Sequence, residues 1–320
     1  MIVLFAVEKL SGAGTEFVVP SIHETGIIGS FENTGVGTAE RFYFDQSKHP
    51  GEELLAMCQT KHPDLLVVTP VLATDKNVPL EVLAEINKTI PVIVLWFESP
   101  PEVVRWADAY ASRLSLSIFF DSFDKWESVS LVPEKHIGTI QPMDPRVFRP
   151  TDSNRFVPVS FLGTALFRPI RCNAIGALWS RGIPVLKRGG LEDFMPIEHI
   201  AKVLHHTRIS LNFTDSGLDK MRMKARTVEV MMTGAMLMET DNNETPKVFK
   251  PYAEYVPFSD YEDLEKKLKY YINNDAERER VAAAGMKRAV ELCDGNIFWA
   301  GVLGKVGISV SMGADGKVSL

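Results

Sequence analysis

RMKARTVEVMMTGAMLMETDNNE, residues 222–244, reads as a helix, a glycine stop, a buried strand and a polar loop. Met221, Ala225, Val228 and Met232 recur at i, i+4, i+7 and i+11, which lays one apolar stripe along a helix. Arg222, Arg226, Glu229 and Thr233 repeat that spacing on another face. Gly234 stands where such a helix ends in a left-handed turn, and AMLME behind it suits a short, fully buried parallel strand. Thr240, Asp241, Asn242, Asn243 and Glu244 follow at the strand's carboxyl end, the edge at which open α/β sheets bind ligands.

Upstream, the same alternation starts at PVSFLGT, where Gly163 and Thr164 form the turn before a helix beginning near Pro169. A helix N-terminus presents unsatisfied N–H groups and partial positive charge, so this turn suits a phosphate. Arg168 and Arg171 oppose the dipole there and call for a compensating anion, a diphosphate; exposed first-turn arginines without a ligand are the alternative. Gly182 ends that helix, IPVLKRGG makes the next strand and loop, and a helix starts at Pro196 with Ile197, Ile200, Ala201 and Leu204 inward. His205 and His206 close it and read as cations at a helix C-terminus. ISLNFTDSG is the next strand and loop, and Lys220, Arg222, Lys224 and Arg226 make a basic approach to the opening element. Downstream come a short strand, EYVPF, and a helix with Ser259 and Glu262 as a capping box. A second helix covers residues 275–292 and a shorter one FWAGVLGKV; the last dozen residues read as loose.

The first half repeats strand and helix from MIVLFAV through ERFYFDQ, LLVVTP, PVIVLWFESPP and SLSIFFDS, the mark of a doubly wound parallel sheet. SGAG, from Ser11, is glycine-rich but is no dinucleotide fingerprint. His23 and Glu24 read as a solvated pair. Glu98 and Asp121 stand at strand carboxyl ends, placed either to take a proton from an acceptor hydroxyl or simply to cap a helix or loop. Trp96 and Phe97 either line an acceptor pocket or sit in the core.

With 320 residues the chain suits two domains. Its 45% hydrophobic and 24% charged residues are ordinary for a water-soluble globular protein, with no apolar run of membrane-spanning length and no export signal, so a cytoplasmic location is expected. Cys58, Cys172 and Cys293 show no metal-ligand spacing and read as reduced thiols. A net charge of -6 argues against nucleic acid as the main partner.

Arg226-x-x-Glu229, Thr233-Gly234-Ala235, Leu237 and Thr240-Asp241 together resemble the nucleotide-sugar half of GT-B glycosyltransferases, and more closely the spore maturation protein CgeB-like branch. Ile209-x-Leu211-Asn212 is similar to a segment of that branch. MDPRVFRP, through Met143, Asp144, Pro145, Phe148 and Pro150, resembles the segment joining the two domains of many such enzymes. The resemblance implies an α/β fold of two facing Rossmann-like domains with mostly parallel sheets. Residues 1–150 would bind the acceptor, 151–295 the donor, and 296–320 would cross back to the first domain.

It implies transfer of a sugar from a nucleotide-diphosphate sugar, UDP-sugar the first guess, to an acceptor hydroxyl in the interdomain cleft. The acceptor, whether glycan, protein or small molecule, is left open. Glu229 would hold the donor ribose, Gly163 and Thr164 would admit the phosphates, and Arg168, Arg171, Lys224 and Arg226 would neutralise them beside Thr240 and Asp241. Lys187 and Arg188 stand where the family places nucleobase contacts. No Asp-x-Asp metal motif stands out, so no metal and no cofactor are expected. Many relatives carry a glutamate eight residues before the helix glutamate; Met221 replaces it here, which leaves the stereochemistry open and supports a non-catalytic nucleotide-sugar-binding protein as one alternative, a nucleotide-sugar epimerase of the same architecture being the other.

Overall fold

The computed structural model describes every residue except 12–18, 22, 72–75, 98, 125, 167, 191–192 and 215–222. Glu98, Lys220, Met221, Arg222 and most of the SGAG turn therefore lie outside the described residues. The chain divides into two compact units, Met1–Asp144 with Asp294–Leu320, and Pro145–Cys293.

The first unit opens with β1 (Ile2–Val7), a short antiparallel pair β2 (Leu10–Ser11) and β3 (Val19–Pro20), and a π-helical turn running into α1 (Gly29–Thr34). There follow β4 (Thr38–Tyr43), α2 (Pro50–Lys61), β5 (Leu65–Val68), α3 (Leu80–Ile86), β6 (Val92–Trp96), α4 (Pro101–Ala111), β7 (Leu116–Phe119) and β8 (His136–Gly138). The strands lie in the order β4-β1-β5-β6-β7-β8, every neighbour parallel. Alternation along β1 sends Leu4 and Ala6 into one core with Leu54, Leu83 and Val104, and Val3, Phe5 and Val7 into another with Ile27, Ile28 and Phe31. Burial on both faces is why the strand is an unbroken hydrophobic run.

The second unit runs β9 (Val157–Leu162), α5 (Pro169–Ser180), β10 (Val185–Arg188), α6 (Ile197–His205), β11 (Thr207–Asn212), α7 (Ala225–Met232), β12 (Met236–Thr240), β13 (Val256–Phe258), α8 (Tyr261–Asn273) and α9 (Asp275–Leu292). Its five parallel strands lie in the order β10-β9-β11-β12-β13. One face, with Phe161, Leu211, Met236 and Met238, packs on α5 and α8 through Ile175, Leu178, Leu264 and Leu268. Gly234 takes φ +80 between α7 and β12, the left-handed stop its position calls for, with Arg155 Nη2 donating to the Thr233 carbonyl beside it at 2.6 Å.

From Asp294 the chain is back in the first unit: α10 (Gly295–Lys305) packs Trp299 edge-on against Phe5 and Phe31, and its indole donates to Ser30 Oγ at 3.1 Å. Among the described residues no helix is long and apolar enough to cross a membrane. The three cysteines are free; burial pushes the Cys58 thiol up to about 11.

Several local expectations are corrected. The last dozen residues close a hairpin of β14 (Ser311–Met312) and β15 (Val318–Ser319), pinned because Val318 is buried. The cap of α8 is one residue later than expected: Asp260 accepts from Asp263 N at 2.9 Å, and Asp263 accepts from Ser259 N at 3.1 Å. His205 is not simply solvated: burial lowers its pKa, and Nε2 donates to the Arg149 carbonyl at 2.9 Å. His23 and Glu24 are not a solvated pair either. The His23 ring is buried 4.5 Å from Phe97, while Glu24 accepts from Arg41 Nε at 2.9 Å and from the Tyr43 hydroxyl at 2.7 Å.

Candidate functional site

In the second unit, the loops after β9 and β10 pack backbone to backbone. Gly163 N donates to the Arg188 carbonyl at 3.0 Å, and Gly189 and Gly190 take φ +75 and +84. A Cβ on Gly190 would stand 2.5 Å from Thr164 Cα and 2.8 Å from Gly163 C, so only glycine permits the approach. This holds the Gly163-Thr164 turn ahead of α5, where Pro169 is the first helical residue and neither an acidic residue nor a side-chain cap serves the first turn. Such a helix start favours an anion.

Arg171, in the first turn of α5, ties two loops together. Its Nη1 donates to the Thr164 carbonyl at 3.0 Å and its Nη2 to the Phe213 carbonyl at 3.1 Å, tying the end of β9 to the end of β11. Arg168 is the N-cap residue of α5, and Lys224 that of α7, where its carbonyl accepts from Thr227 N at 2.9 Å. Arg188 spends its guanidinium on Asp193, 2.5 Å away, which holds that carboxyl below its ordinary pKa.

On α7, Arg226 Nη1 lies 2.6 Å from Glu229 Oε2, with 17% and 10% of the side chains exposed. Both atoms are buried and meet each other as an ion pair, with no further hydrogen-bond partner among the described residues. An i,i+3 pair is thus present, but inside the protein and not on its surface.

Sequence reasoning missed Glu239, two residues after Leu237 on the face of β12 turned away from Met236 and Met238. Its carboxyl is fully buried. Oε2 accepts from Asn212 Nδ2 and Thr227 Oγ1, both at 2.6 Å, and Oε1 from Asn242 Nδ2 at 3.0 Å and Thr245 Oγ1 at 2.5 Å. Burial pushes its pKa up, opposed by these four bonds. The signal was an acid closing an otherwise apolar run. Thr240 Oγ1 donates to the Asn212 carbonyl at 3.5 Å, and Asp241, exposed, donates its N–H to the Phe258 carbonyl at 2.8 Å. A cavity of about 470 Å³ at this edge is lined by Ile170, Asn173, Phe213, Thr240 and Tyr261, a size that suits a small ligand.

In the first unit, Asp121 is buried after β7, and its Oδ2 accepts from Ser99 N at 2.9 Å and Ser99 Oγ at 3.1 Å. Trp96 is a core residue: its indole donates to Ser117 Oγ at 3.0 Å and its ring meets Trp106 and Tyr110 edge-on. Phe97, partly buried, packs on His23 and Phe120.

Residues 160–292, within the second unit, match the family model described as Glycosyl transferase-like. HepE of Anabaena, solved with UDP and glucose, superposes with a TM-score of 0.63 over 95% of this chain and 99% of its own, at 15% identity. An alpha-glucosyltransferase solved with UDP-glucose and DNA containing an abasic site gives 0.61 over 95% and 98%, at 11% identity. The architecture is therefore the GT-B fold of glycosyltransferases. Uncharacterized protein 027R of Frog virus 3 (isolate Goorha) is 42% identical over 57 residues, 18% of this chain and 6% of that protein's length.

Proposed function

We propose that the chain is a hexosyltransferase-like glycosyltransferase of the CgeB-like branch, acting in the cytoplasm. Its second unit would hold a nucleotide-diphosphate sugar, UDP-sugar first, and its first unit the acceptor. The observation that carries this is Glu229, a carboxylate on α7 ion-paired with Arg226 and largely out of water, with 10% of its side chain exposed. A largely buried carboxylate is costly unless it is paired and hydrogen-bonded, and the two adjacent hydroxyls of a ribose are fitting donors to it. The family match over residues 160–292 and the UDP-bound structures of the same fold support the reading.

In this reading the acceptor oxygen attacks the anomeric carbon and the bond to the diphosphate oxygen breaks, its electron pair leaving with the nucleotide. The acceptor's proton passes to Glu98 or Asp121. Arg168, Lys224, Arg226 and the first-turn N–H groups of α5 meet the leaving charge over Gly163 and Thr164, with Arg171 fixing the loops. Thr240 and Asp241 border the sugar, and protein cations take the place of a divalent metal.

The test is thermal stabilisation by UDP, GDP, CDP, dTDP and ADP, then turnover of the matching sugar nucleotide with and without EDTA. Ligand at about 100 times its Kd adds roughly 2.7 kcal/mol. One stabilising diphosphate and EDTA-resistant transfer are expected. No stabilisation removes the reading; binding without turnover leaves a non-catalytic binding protein, and an isomerised sugar an epimerase.

A further inference from the structure

The carboxyl of Glu239 joins three segments, two of them beside residues assigned above to the donor. Thr227 follows Arg226 in the first turn of α7 and stands two residues before Glu229. Asn212 ends β11, and the next carbonyl, that of Phe213, is the one Arg171 holds. Asn242 follows Asp241, and its Oδ1 accepts from Glu244 N at 2.9 Å and Thr245 N at 2.8 Å, which winds the loop after β12 around the carboxyl. A fully buried carboxyl in a strand is costly, and an apolar side chain would serve packing better; four donors converging on its two oxygens offset that cost.

We propose that Glu239 is the positioning residue of the donor site, fixing α7 and the loop after β12 against the end of β11 so that Arg226, Glu229 and Asp241 meet one ligand. The inference rests on the donor reading. The four donors leave no role for a second N–H: an amide at this position would turn an NH2 group onto one pair of them, and the nitrogens of Asn212 and Asn242 can only donate.

The experiment is UDP titration calorimetry of the full chain and of Thr227→Val, Thr227→Ser, Thr245→Val and Glu239→Gln, with melting temperatures measured alongside. Thr227→Val keeps the side-chain shape and removes only the hydroxyl, so it is the informative variant even if Glu239→Gln fails to fold. Loss of a hydrogen bond to a charged group predicts UDP binding weaker by about 10- to 100-fold in Thr227→Val. Thr227→Ser, which keeps the hydroxyl, returns it to within about 2-fold of the unaltered chain. Thr227→Val and Thr245→Val that melt lower yet bind UDP as the unaltered chain does would overturn the proposal and leave Glu239 a fold-stabilising group. If the unaltered chain binds no UDP or other nucleoside diphosphate, the donor reading falls and this inference with it.

Discussion

Arg226 Nη1 and Glu229 Oε2 stand 2.6 Å apart, one turn along α7 and largely out of water. An exposed i,i+3 pair contributes a few tenths of a kcal/mol, whereas removing one member of a buried pair costs about 3 to 5 kcal/mol because a charge is left uncompensated. Glu229→Ala is therefore expected to lower the unfolding free energy by about 3 kcal/mol and to lose its response to the nucleotide. Replacing both residues by leucine recovers most of the stability but none of the response. Urea denaturation with and without UDP checks both statements, and a double variant still stabilised by UDP would contradict the role of the pair.

Gly190 and Gly182 separate close approach from backbone conformation alone. Both have positive φ, +84 and +75, but a Cβ on Gly182 meets nothing within 4 Å, whereas one on Gly190 runs into Thr164 and Gly163. Gly182→Ala is expected to cost about 1 kcal/mol for the left-handed conformation. Gly190→Ala costs more and displaces the Gly163-Thr164 turn, so its folded fraction binds the nucleotide more weakly. Equal affinity in the two variants would show that the turn does not touch the ligand.

Arg171 spans two carbonyls from different loops. Arg171→Ala leaves the Thr164 and Phe213 carbonyls short of charged donors and is expected to cost about 2 kcal/mol or more. Arg171→Lys does not restore it, since a single ammonium lacks the planar fork that reaches both. Equilibrium unfolding of the three proteins gives the comparison directly.

The order of elements was legible in the sequence because parallel strands buried on both faces are unbroken apolar runs and Gly234 marks a turn only glycine makes cheaply. The helix of residues 275–292 and the strand around Leu237 follow from pattern alone. What pattern could not carry is partnership at a distance in sequence. Asn212, Thr227, Asn242 and Thr245 converge on Glu239 from three segments, and the acid closing an apolar run does not by itself name the distant partners Asn212 and Thr227. The charge of Arg171 was visible in the sequence and its carbonyl partners, Thr164 and Phe213, were not. Glu24 read as solvated because Arg41 and Tyr43 lie on β4.

His23 gives the first unit a pH response. Burial lowers its pKa from 6.5 to about 4, and Nδ1 has no hydrogen-bond partner. As pH falls through 6.5 the unfolded chain takes up a proton that the folded chain refuses until about 4, so the unfolded state binds more protons in that window. The His23 contribution is therefore constant above pH 6.5 and is lost on acidification towards pH 4, by roughly 3 kcal/mol in all. His23→Gln is expected to remove that part of the slope. Parallel slopes for the two proteins between pH 6.5 and 4 would show that the imidazole is solvated.

The central claim, that the second unit holds a nucleoside diphosphate between α5 and α7, is met most directly by a crystal structure of the chain with UDP. The ribose hydroxyls are expected within hydrogen-bonding distance of the Glu229 carboxylate, with the diphosphate at the Gly163-Thr164 turn. Nucleotide bound away from both, or none at saturating UDP or any other nucleoside diphosphate, would contradict the account.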